Sequence, residues 1–290
     1  MWPYVIQQPF QVGTYGVMMA VGFLTAFWLL VRELRRRNID VKVAEITIFL
    51  GILGGVVGAK LAYMLTEADE FVWRDLFSGS GLTWHGGLIL AAVFIIVYFA
   101  VKRLPMLVML DAVAPMLASG YAFGRIGCQL AGDGDVGIPC VPGSFADNFC
   151  MTYPRGIVPS SCEVGGRFYE VCPANAMDPT WLPVHPTPIY ESLTNFALFG
   201  LLWAIRRKFR RPGFLFAIYL VIAGFLRFGI EFIRVSEGRP DRFFGLRDAQ
   251  LIALGEVLLG LIIAAWAYFR TVPKNQEYGI LKPAESVESV

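Results

Sequence analysis

The sequence predicts an all-α polytopic membrane protein with seven transmembrane helices and a small, disulfide-containing head domain on the outer face. Of the 290 residues, 56% are hydrophobic and only 17% are charged, which departs strongly from the average of soluble globular proteins. Apolar runs of about 20 residues recur along the chain, and that length suits a helix that crosses a ~30 Å hydrocarbon core. One long polar segment, residues 129–184, is rich in Pro, Gly and Ser and contains four cysteines.

Seven apolar runs are the expected spans: residues 14–31, 43–65, 86–101, 106–123, 187–205, 213–232 and 249–269. A short outer arm at about residues 66–84 holds Trp73 and Trp84, which suit a membrane interface. The expected organisation is residues 1–128 with spans one to four, 129–184 as the head domain, 185–270 with spans five to seven, and 271–290 as a cytoplasmic tail.

The basic residues are unevenly distributed among the links. Fifteen of the 25 Lys and Arg residues lie in the links after spans one, three and five and in the tail from residue 270 onward. The positive-inside rule assigns such segments to the cytoplasm. We therefore expect the N-terminus outside and the C-terminus in the cytoplasm, as seven spans require.

The stretch from Gly124 to Asp135 contains Arg125, four glycines in eleven positions and two acids. An arginine at a membrane helix end is costly unless it faces a partner, a headgroup or water, and glycines allow backbone shapes that other residues resist. We expect a flexible turn that handles a polar headgroup; the alternative is a snorkelling arginine beside a glycine-rich loop. Asp133 and Asp135 could bind a divalent cation, but no acidic cluster at ligand spacing accompanies them. We expect them to orient an arginine or end a turn.

Other uncommon polar residues fall at the same outer level. His85 and His185 precede spans three and five, and Tyr190 and Glu191 lie about one turn inside span five. Random placement would scatter such residues over both membrane faces. The sequence therefore predicts a polar site at the outer leaflet.

Three arginines are candidates for a phosphate cradle, because guanidinium binds phosphate oxygens bidentately. They are Arg125, Arg227 and Arg234. In span six, the i, i+4, i+7 spacing of Arg227, Glu231 and Arg234 predicts one helix face. Internal pairing with Glu231 or Glu191 is the alternative, although three arginines against one glutamate on that face leave a cationic excess.

His85 begins the third span, where a neutral imidazole could accept a proton from a thiol or hydroxyl. A structural histidine that bonds to backbone is the alternative. Gly86 and Gly87 permit close approach of another helix or a ligand. Lys60, inside span two, could snorkel or neutralise an acid.

The polar segment contains Cys140, Cys150, Cys162 and Cys172, and Cys128 stands just before it. An even number of cysteines in an oxidising compartment suggests two disulfides, with three connectivities open. Zinc binding is a weaker option because no CxxC pair is present.

An ordered set of motifs covers nearly all the spans: Tyr15-Gly16, Gly58-Ala59-Lys60-Leu61-Ala62-Tyr63, Trp84-His85-Gly86-Gly87, Gly124-Arg125-Ile126-Gly127, His185-Pro186-Thr187-Pro188-Ile189-Tyr190-Glu191, and Phe225-Leu226-Arg227-Phe228-Gly229-Ile230-Glu231-Phe232-Ile233-Arg234. This set resembles the prolipoprotein diacylglyceryl transferase family. The resemblance implies a bacterial inner-membrane enzyme with seven spans and a periplasmic head domain. It would move a diacylglyceryl group from phosphatidylglycerol to the lipobox cysteine of a preprolipoprotein. The products would be a thioether and glycerol phosphate.

The resemblance implies His85 as the base and Arg125 and Arg227 as the essential arginines. The expected substrate-binding residues are Tyr15, Lys60, Gly86, Gly87, Gly127, Cys128, Asp133, His185, Tyr190, Glu191, Glu231 and Arg234. Phosphatidylglycerol, preprolipoprotein signal peptides and membrane lipid are the expected partners. We expect a monomer without cofactor, metal or nucleic acid.

Five positions depart from the family pattern. Cys128 and Ala131 stand where the family has Asn, Asp133 replaces a Glu, Lys60 replaces an Arg, and Pro188 replaces a Gln. The Asn at position 128 would both donate and accept hydrogen bonds, so its loss affects specificity and keeps a non-catalytic relative that binds lipid or signal peptides as an alternative. A small-solute transporter would need charged pairs that reach both membrane faces. A CDP-alcohol phosphatidyltransferase would need paired aspartate motifs, which the chain lacks.

Overall fold

Seven α-helices dominate the described part of the chain, and each falls on one of the seven apolar runs. They are α1 (Thr14–Arg36), α2 (Lys42–Thr66), α3 (Trp84–Val101), α4 (Met106–Ala131), α5 (Thr187–Ile205), α6 (Phe214–Ile230) and α7 (Asp248–Phe269). Two short antiparallel strands, β1 (Tyr4–Ile6) and β2 (Val12–Gly13), precede α1. Short 3-10 helices cover Phe145–Phe149 and Lys274–Gly279. The computed structural model describes residues 2–6, 12–66, 84–141, 143–161, 167–168, 182–235, 245–271 and 274–281.

The helices have the dimensions of a membrane protein. By length and composition α1, α2, α4 and α7 are long and apolar enough to cross a membrane, and α3 and α6 are apolar but shorter. Large hydrophobic side chains are exposed along the helices, which a soluble monomer rarely allows over a large area. Examples are Leu24, Phe49, Ile89, Leu193 and Ile262. The prediction of a helical membrane protein is confirmed.

α4 extends further than its apolar run predicted. The helix continues through Arg125 to Ala131, so Gly124 and Gly127 are helical and the prediction that this whole stretch is a flexible turn is wrong. The helix can continue because acidic partners neutralise the arginine. It ends where Gly132 adopts the left-handed conformation, at φ 62°, and donates its N–H to the carbonyl of Cys128 at 2.8 Å.

α6 is shorter than predicted. It ends at Ile230, so Glu231 caps the helix and Arg234 lies in the following turn. The prediction that Arg227, Glu231 and Arg234 share one helix face is therefore wrong for Arg234. The side chain of Arg247 bonds to the carbonyls of Glu231 and Arg234, which favours this turn over further helix.

α4 lies at the centre of the bundle and packs against α1, α5 and α6. Its inner half contributes fully buried side chains to a core shared with α1, including Val108, Met109, Leu30 and Leu34. α2 pairs with α3, and α6 pairs with α7. This arrangement lets α4 position the residues of its outer end against three neighbouring elements.

The α2–α3 pair depends on glycine at the contact. A Cβ on Gly54 would lie 2.6 Å from the Cα of Ala91, whereas a Cβ on Gly55 would meet nothing within 4 Å. Small residues of this kind let helix backbones approach closely in a membrane.

We expect Gly54→Ala to destabilise the protein by about 1–3 kcal/mol, because the added methyl forces the two backbones apart. Gly55→Ala is the matched control and should be neutral or slightly stabilising, since alanine is the better helix former. Thermal unfolding in detergent measures both. Equal melting temperatures for the two variants would contradict the close contact.

The polar segment between α4 and α5 folds onto the helix ends near the start of α5 and the end of α6. Isolated bridges join Gly137 to Arg234 and join Val184 to both Pro139 and Met151. Burial raises the pKa of Tyr153 to about 12, so its hydroxyl stays protonated and donates to Gln129 Oε1 at 2.8 Å.

A disulfide joins Cys140 to Cys150, which confirms one of the expected bridges. Cys162 and Cys172 lie outside the described residues, as do residues 67–83 of the predicted outer arm. The second bridge and the arm therefore stay predictions.

A charged cluster lies at the C-terminal end of α1, ~34 Å from the start of that helix. The carboxylate of Glu33 is buried, lies 2.9 Å from Arg37 Nε and 3.3 Å from Arg206 Nε, and also pairs with Arg36. The C-terminal segment docks beside it, where the N–H of Leu281 donates to the carbonyl of Arg37. This cluster ties together three chain segments at the end predicted to face the cytoplasm.

Candidate active site

Charged side chains from five chain segments meet at the end of the bundle predicted to face outward. α4 contributes its last two turns, and the loop after α4 contributes its acids. α5 contributes its second turn, and α6 contributes its last turn and the turn that follows. The residue before α7 completes the set.

Seven of these side chains form an alternating chain of ion pairs, which we call the arginine chain. Arg125 Nε lies 3.1 Å from Glu191 Oε2, and Arg227 Nη1 lies 3.3 Å from Glu191 Oε1. Arg227 Nη2 lies 3.1 Å from Glu231 Oε2. The carboxylate of Asp135 pairs with both Arg125 and Arg234. In order, the arginine chain is Arg234, Asp135, Arg125, Glu191, Arg227, Glu231 and Arg247.

Tyr121 fixes the centre of the arginine chain. Its hydroxyl donates to Glu191 Oε1 at 2.7 Å and accepts from Arg125 Nη2 at 2.9 Å. The guanidinium carbon of Arg125 also lies 5.0 Å from the Tyr121 ring centroid, within cation–π range. Arg125 is thus held in one orientation by a carboxylate, a hydroxyl and an aromatic face.

The arginines are more accessible than two of their three acids. The side chains of Glu231 and Glu191 are 0% and 5% exposed, whereas those of Arg125 and Arg227 are 14% and 25% exposed. Within the arginine chain, four guanidiniums face three carboxylates. The predicted cationic excess therefore exists but is one charge, because Asp135 and Glu191 add to Glu231. The site presents guanidinium groups in front of buried carboxylates, which suits an anion.

The loop after α4 shows what its two acids do. Burial alone would raise the pKa of Asp135, but Arg125 and Arg234 outweigh it and hold that pKa below the usual range. Burial raises the pKa of Asp133, which accepts the N–H of Asp135 at 3.2 Å. Asp135 thus orients arginines and Asp133 stabilises the turn, as the sequence interpretation preferred.

Acid is expected to weaken the protein through Asp135. Because its folded pKa lies below the ~3.9 of an unfolded aspartate, its ion pairs contribute stability above that value and lose it as the pH falls through the folded pKa. Thermal melting of wild type and Asp135→Asn across pH checks this. The wild type should melt higher at neutral pH, and the gap should close below about pH 4. A gap that persists in strong acid would show that the carboxylate charge is not the cause.

Cys128 is a buried free thiol inside the site, and its Sγ lies 3.8 Å from Arg125 Nη1. Its sulfur and the carboxylates of Asp133 and Asp135 lie within 4.8 Å of one another, a spacing that could hold a metal. Two guanidiniums compete for Asp135, however, and they would repel a cation. A thiol is a weaker hydrogen-bonding group than an amide, so Arg125 is held mainly by its acids and Tyr121.

A second group with metal-ligand spacing consists of Cys140, Cys150 and His185. The two sulfurs form the disulfide, so they are not thiolate ligands in this state. The His185 Nδ1 lies 3.5 Å from the Tyr190 hydroxyl, and the His185 carbonyl accepts the N–H of Gly137 at 2.8 Å. His185 therefore joins the polar segment to the start of α5.

Several predicted site residues lie on the α2–α3 pair and are not members of the arginine chain. His85 is exposed at the start of α3, and Lys60 is buried in α2. A Cβ on Gly87 would lie 2.7 Å from the carbonyl oxygen of Gly55, and Gly86 is equally close to α2. The two glycines thus serve helix packing, one of the two roles expected for them.

The remaining predicted residues lie where α1 meets α4. A Cβ on Gly127 would lie 3.1 Å from Tyr15 Cδ2, so the glycine allows the tyrosine ring to pack on α4. Tyr15 itself is 40% exposed. The ring is therefore accessible beside the site.

Sequence reasoning missed Tyr121 and Arg247. Tyr121 could have been found, because it precedes Arg125 by four residues and shares its helix face. Arg247 lies outside every motif. Its Nη1 donates to the carbonyls of Glu231 at 2.6 Å and Arg234 at 2.8 Å, and it lies 3.7 Å from Glu231 Oε1. Only the fold brings it to the site.

Comparison with known proteins identifies the relatives of this chain. A family model described as prolipoprotein diacylglyceryl transferase matches residues 3–266. Three similar proteins bear the name phosphatidylglycerol–prolipoprotein diacylglyceryl transferase. That of Leptospira interrogans is 32% identical and aligns with 82% of this chain and 77% of its own length. That of Clostridium tetani is 31% identical, with 86% and 90% covered. That of Burkholderia thailandensis is also 31% identical, with 90% and 93% covered.

Proposed function

This chain belongs to the prolipoprotein diacylglyceryl transferase family, and on that premise we propose how its residues transfer diacylglyceryl from phosphatidylglycerol to the lipobox cysteine of a prolipoprotein. The observation that carries the assignment of the site is the arginine chain. It presents guanidiniums, held by buried carboxylates, at one end of a bundle of apolar helices. An anionic phospholipid headgroup needs such a site at the membrane surface.

The donor phosphodiester binds to Arg125 and Arg227, with Arg234 as the third arginine of the cradle. Glu191 lies between Arg125 and Arg227 and fixes their separation. The Tyr121 hydroxyl accepts a hydrogen bond from Arg125 and so fixes the orientation of its guanidinium. Because the donors are oriented before the lipid arrives, they need not reorganise when charge develops on the phosphate.

His85 prepares the acceptor. A free thiol has a pKa of about 8.5, so few acceptor cysteines are ionised at neutral pH. The imidazole takes the thiol proton, and the cationic excess of the arginine chain favours the thiolate. His85 is exposed at the start of α3, so an incoming signal peptide can reach it.

The thiolate then attacks the carbon of the diacylglycerol unit that bears the phosphate ester. A sulfur–carbon bond forms and the carbon–oxygen bond to phosphate breaks. Glycerol phosphate leaves with the electron pair of that bond, and Arg125 and Arg227 stabilise its added charge. The proton held by His85 then passes to the phosphate or to water.

We further propose that all seven helices cross the bacterial inner membrane, with the N-terminus and the segment 129–184 in the periplasm. The charge bias of the links supports this orientation. It places residues 1–128 and 185–270 in the membrane and 271–290 in the cytoplasm. Lipid and signal peptide then enter sideways between helices, and a monomer suffices because the arginine chain lies within one polypeptide.

Cys128 favours one rival, a relative that binds signal peptides without transferring lipid. Mass spectrometry of a lipobox peptide after incubation with purified protein and phosphatidylglycerol decides between them. We expect a gain of one diacylglyceryl group, no gain on a Cys→Ser peptide, and loss of the gain in His85→Ala. Bound but unmodified peptide would support the rival, and full activity of His85→Ala would exclude His85 as the base.

A further inference from the structure

Asp135 differs from the other acids of the arginine chain. Its side chain is 20% exposed, whereas those of Glu191 and Glu231 are 5% and 0% exposed. One oxygen pairs with Arg125 and the other with Arg234. A single carboxylate therefore bridges two guanidiniums that come from different elements, which is also how a phosphate group binds two arginines.

We propose that Asp135 is an internal substitute for the phosphate of the ligand: its carboxylate pairs with Arg125 and Arg234 until an anionic phosphate ester replaces it. This inference rests on the proposed function, since it takes the arginine chain as the phosphate site. The ligand class is a phosphate mono- or diester. Its sources are the lipid headgroup and the glycerol phosphate that is released.

The backbone around Asp135 is held while its side chain reaches into the site. Its carbonyl accepts a hydrogen bond from the Thr187 hydroxyl at 3.2 Å, and its N–H donates to Asp133. Gly134, just before it, has φ 86°. The carboxylate can therefore exchange by side-chain rotation without refolding of the loop.

The charges of the site support an exchange. With Asp135 in place, four guanidiniums face three carboxylates; with Asp135 turned away, they face two. The excess then rises to two positive charges, which suits a phosphate ester. Arg125 keeps Glu191 and Tyr121 as partners during the exchange, whereas Asp135 is the acid that pairs with Arg234. Arg234 is thus the guanidinium whose pairing changes most.

An internal carboxylate has two consequences for turnover. It stabilises the empty site, where buried guanidiniums without a partner would be costly. It also competes with the product, so it speeds release of glycerol phosphate. Without the carboxylate charge, we expect phosphate esters to bind more tightly and turnover to be limited by release.

Asp135→Asn tests the proposal, because it removes the charge and keeps the shape. Calorimetric titration of the full chain in detergent with glycerol phosphate, and separately with inorganic phosphate, should show binding at least about tenfold tighter than wild type, as for other close charge pairs. In the transfer assay, both KM for phosphatidylglycerol and kcat should fall. Asp147→Asn removes the same charge from the polar segment between α4 and α5, where Asp147 accepts the N–H of Gly143. Its phosphate binding and transfer activity should match wild type.

Unchanged or weaker phosphate binding by folded Asp135→Asn would overturn the proposal. If that variant does not fold, Asp135→Ser provides the same comparison with a smaller polar side chain. Tighter phosphate binding without any transfer by wild type would support the exchange and refute the proposed function. Transfer by wild type with no change in phosphate affinity would do the reverse.

Discussion

Arg125→Ala is expected to lower kcat for diacylglyceryl transfer by about 10²–10³-fold, the usual effect of removing one donor that stabilises a developing oxyanion. Within the arginine chain, Arg125 contacts Asp135 and Glu191, and it also bonds to Tyr121. Truncation removes the donor and also leaves two carboxylates facing the incoming phosphate. Both effects act in the same direction.

The rate measurement needs two companions. Arg125→Lys keeps the charge but loses the planar, bidentate donor geometry, so its activity should fall between wild type and the alanine variant. Arg155→Ala removes an exposed arginine of the polar segment between α4 and α5 and should leave transfer unchanged. A folded Arg125→Ala protein within a few-fold of wild type would remove Arg125 from the reaction.

Glu191→Ala is expected to have the largest effect on stability, about 3–5 kcal/mol, because it breaks a buried ion-pair network and leaves uncompensated charges. The carboxylate is 5% exposed and has partners on two other helices, Arg125 and Tyr121 on α4 and Arg227 on α6. Without it, two guanidiniums repel each other across the site. Transfer should be lost even in the fraction that folds.

Thermal unfolding in detergent measures this effect. Glu191→Gln keeps the size of the side chain and should recover only part of the stability, since the amide donates as well as accepts and carries no charge. Glu45→Gln, which changes an exposed acid in the first turn of α2, should melt within a degree or two of wild type, as an isolated helix-terminus charge contributes little. A Glu191→Ala protein that melts with wild type would contradict a structural role for the ion pairs.

The sequence predicted the helices well because the property that places them is local. An apolar run marks each of α1 to α7, and no packing information is needed to find it. Helix ends depend on tertiary partners instead. α4 continues past Arg125 because Asp135 and Glu191 neutralise it. α6 ends at Ile230, where the side chain of Arg247 donates to the carbonyl of Glu231.

The site was predicted only in part, because some of its contacts depend on tertiary structure. The residue types and their level along the helices indicated a phosphate site containing Arg125, Arg227 and Glu231. The bridging role of Asp135 and the contacts of Arg247 depend on how the loop after α4 and the turn after α6 come together. Spacing along the sequence carries no signal for such contacts between distant segments.

The most direct test of the account is a structure of the protein with a phosphatidylglycerol analogue whose scissile ester oxygen is replaced by a methylene group, so that transfer cannot occur. The account predicts phosphonate oxygens at about 3 Å from the guanidiniums of Arg125 and Arg227, with the glycerol carbon open towards His85. A headgroup bound elsewhere, with neither arginine in contact with it, would contradict the assignment of the arginine chain as the phosphate site.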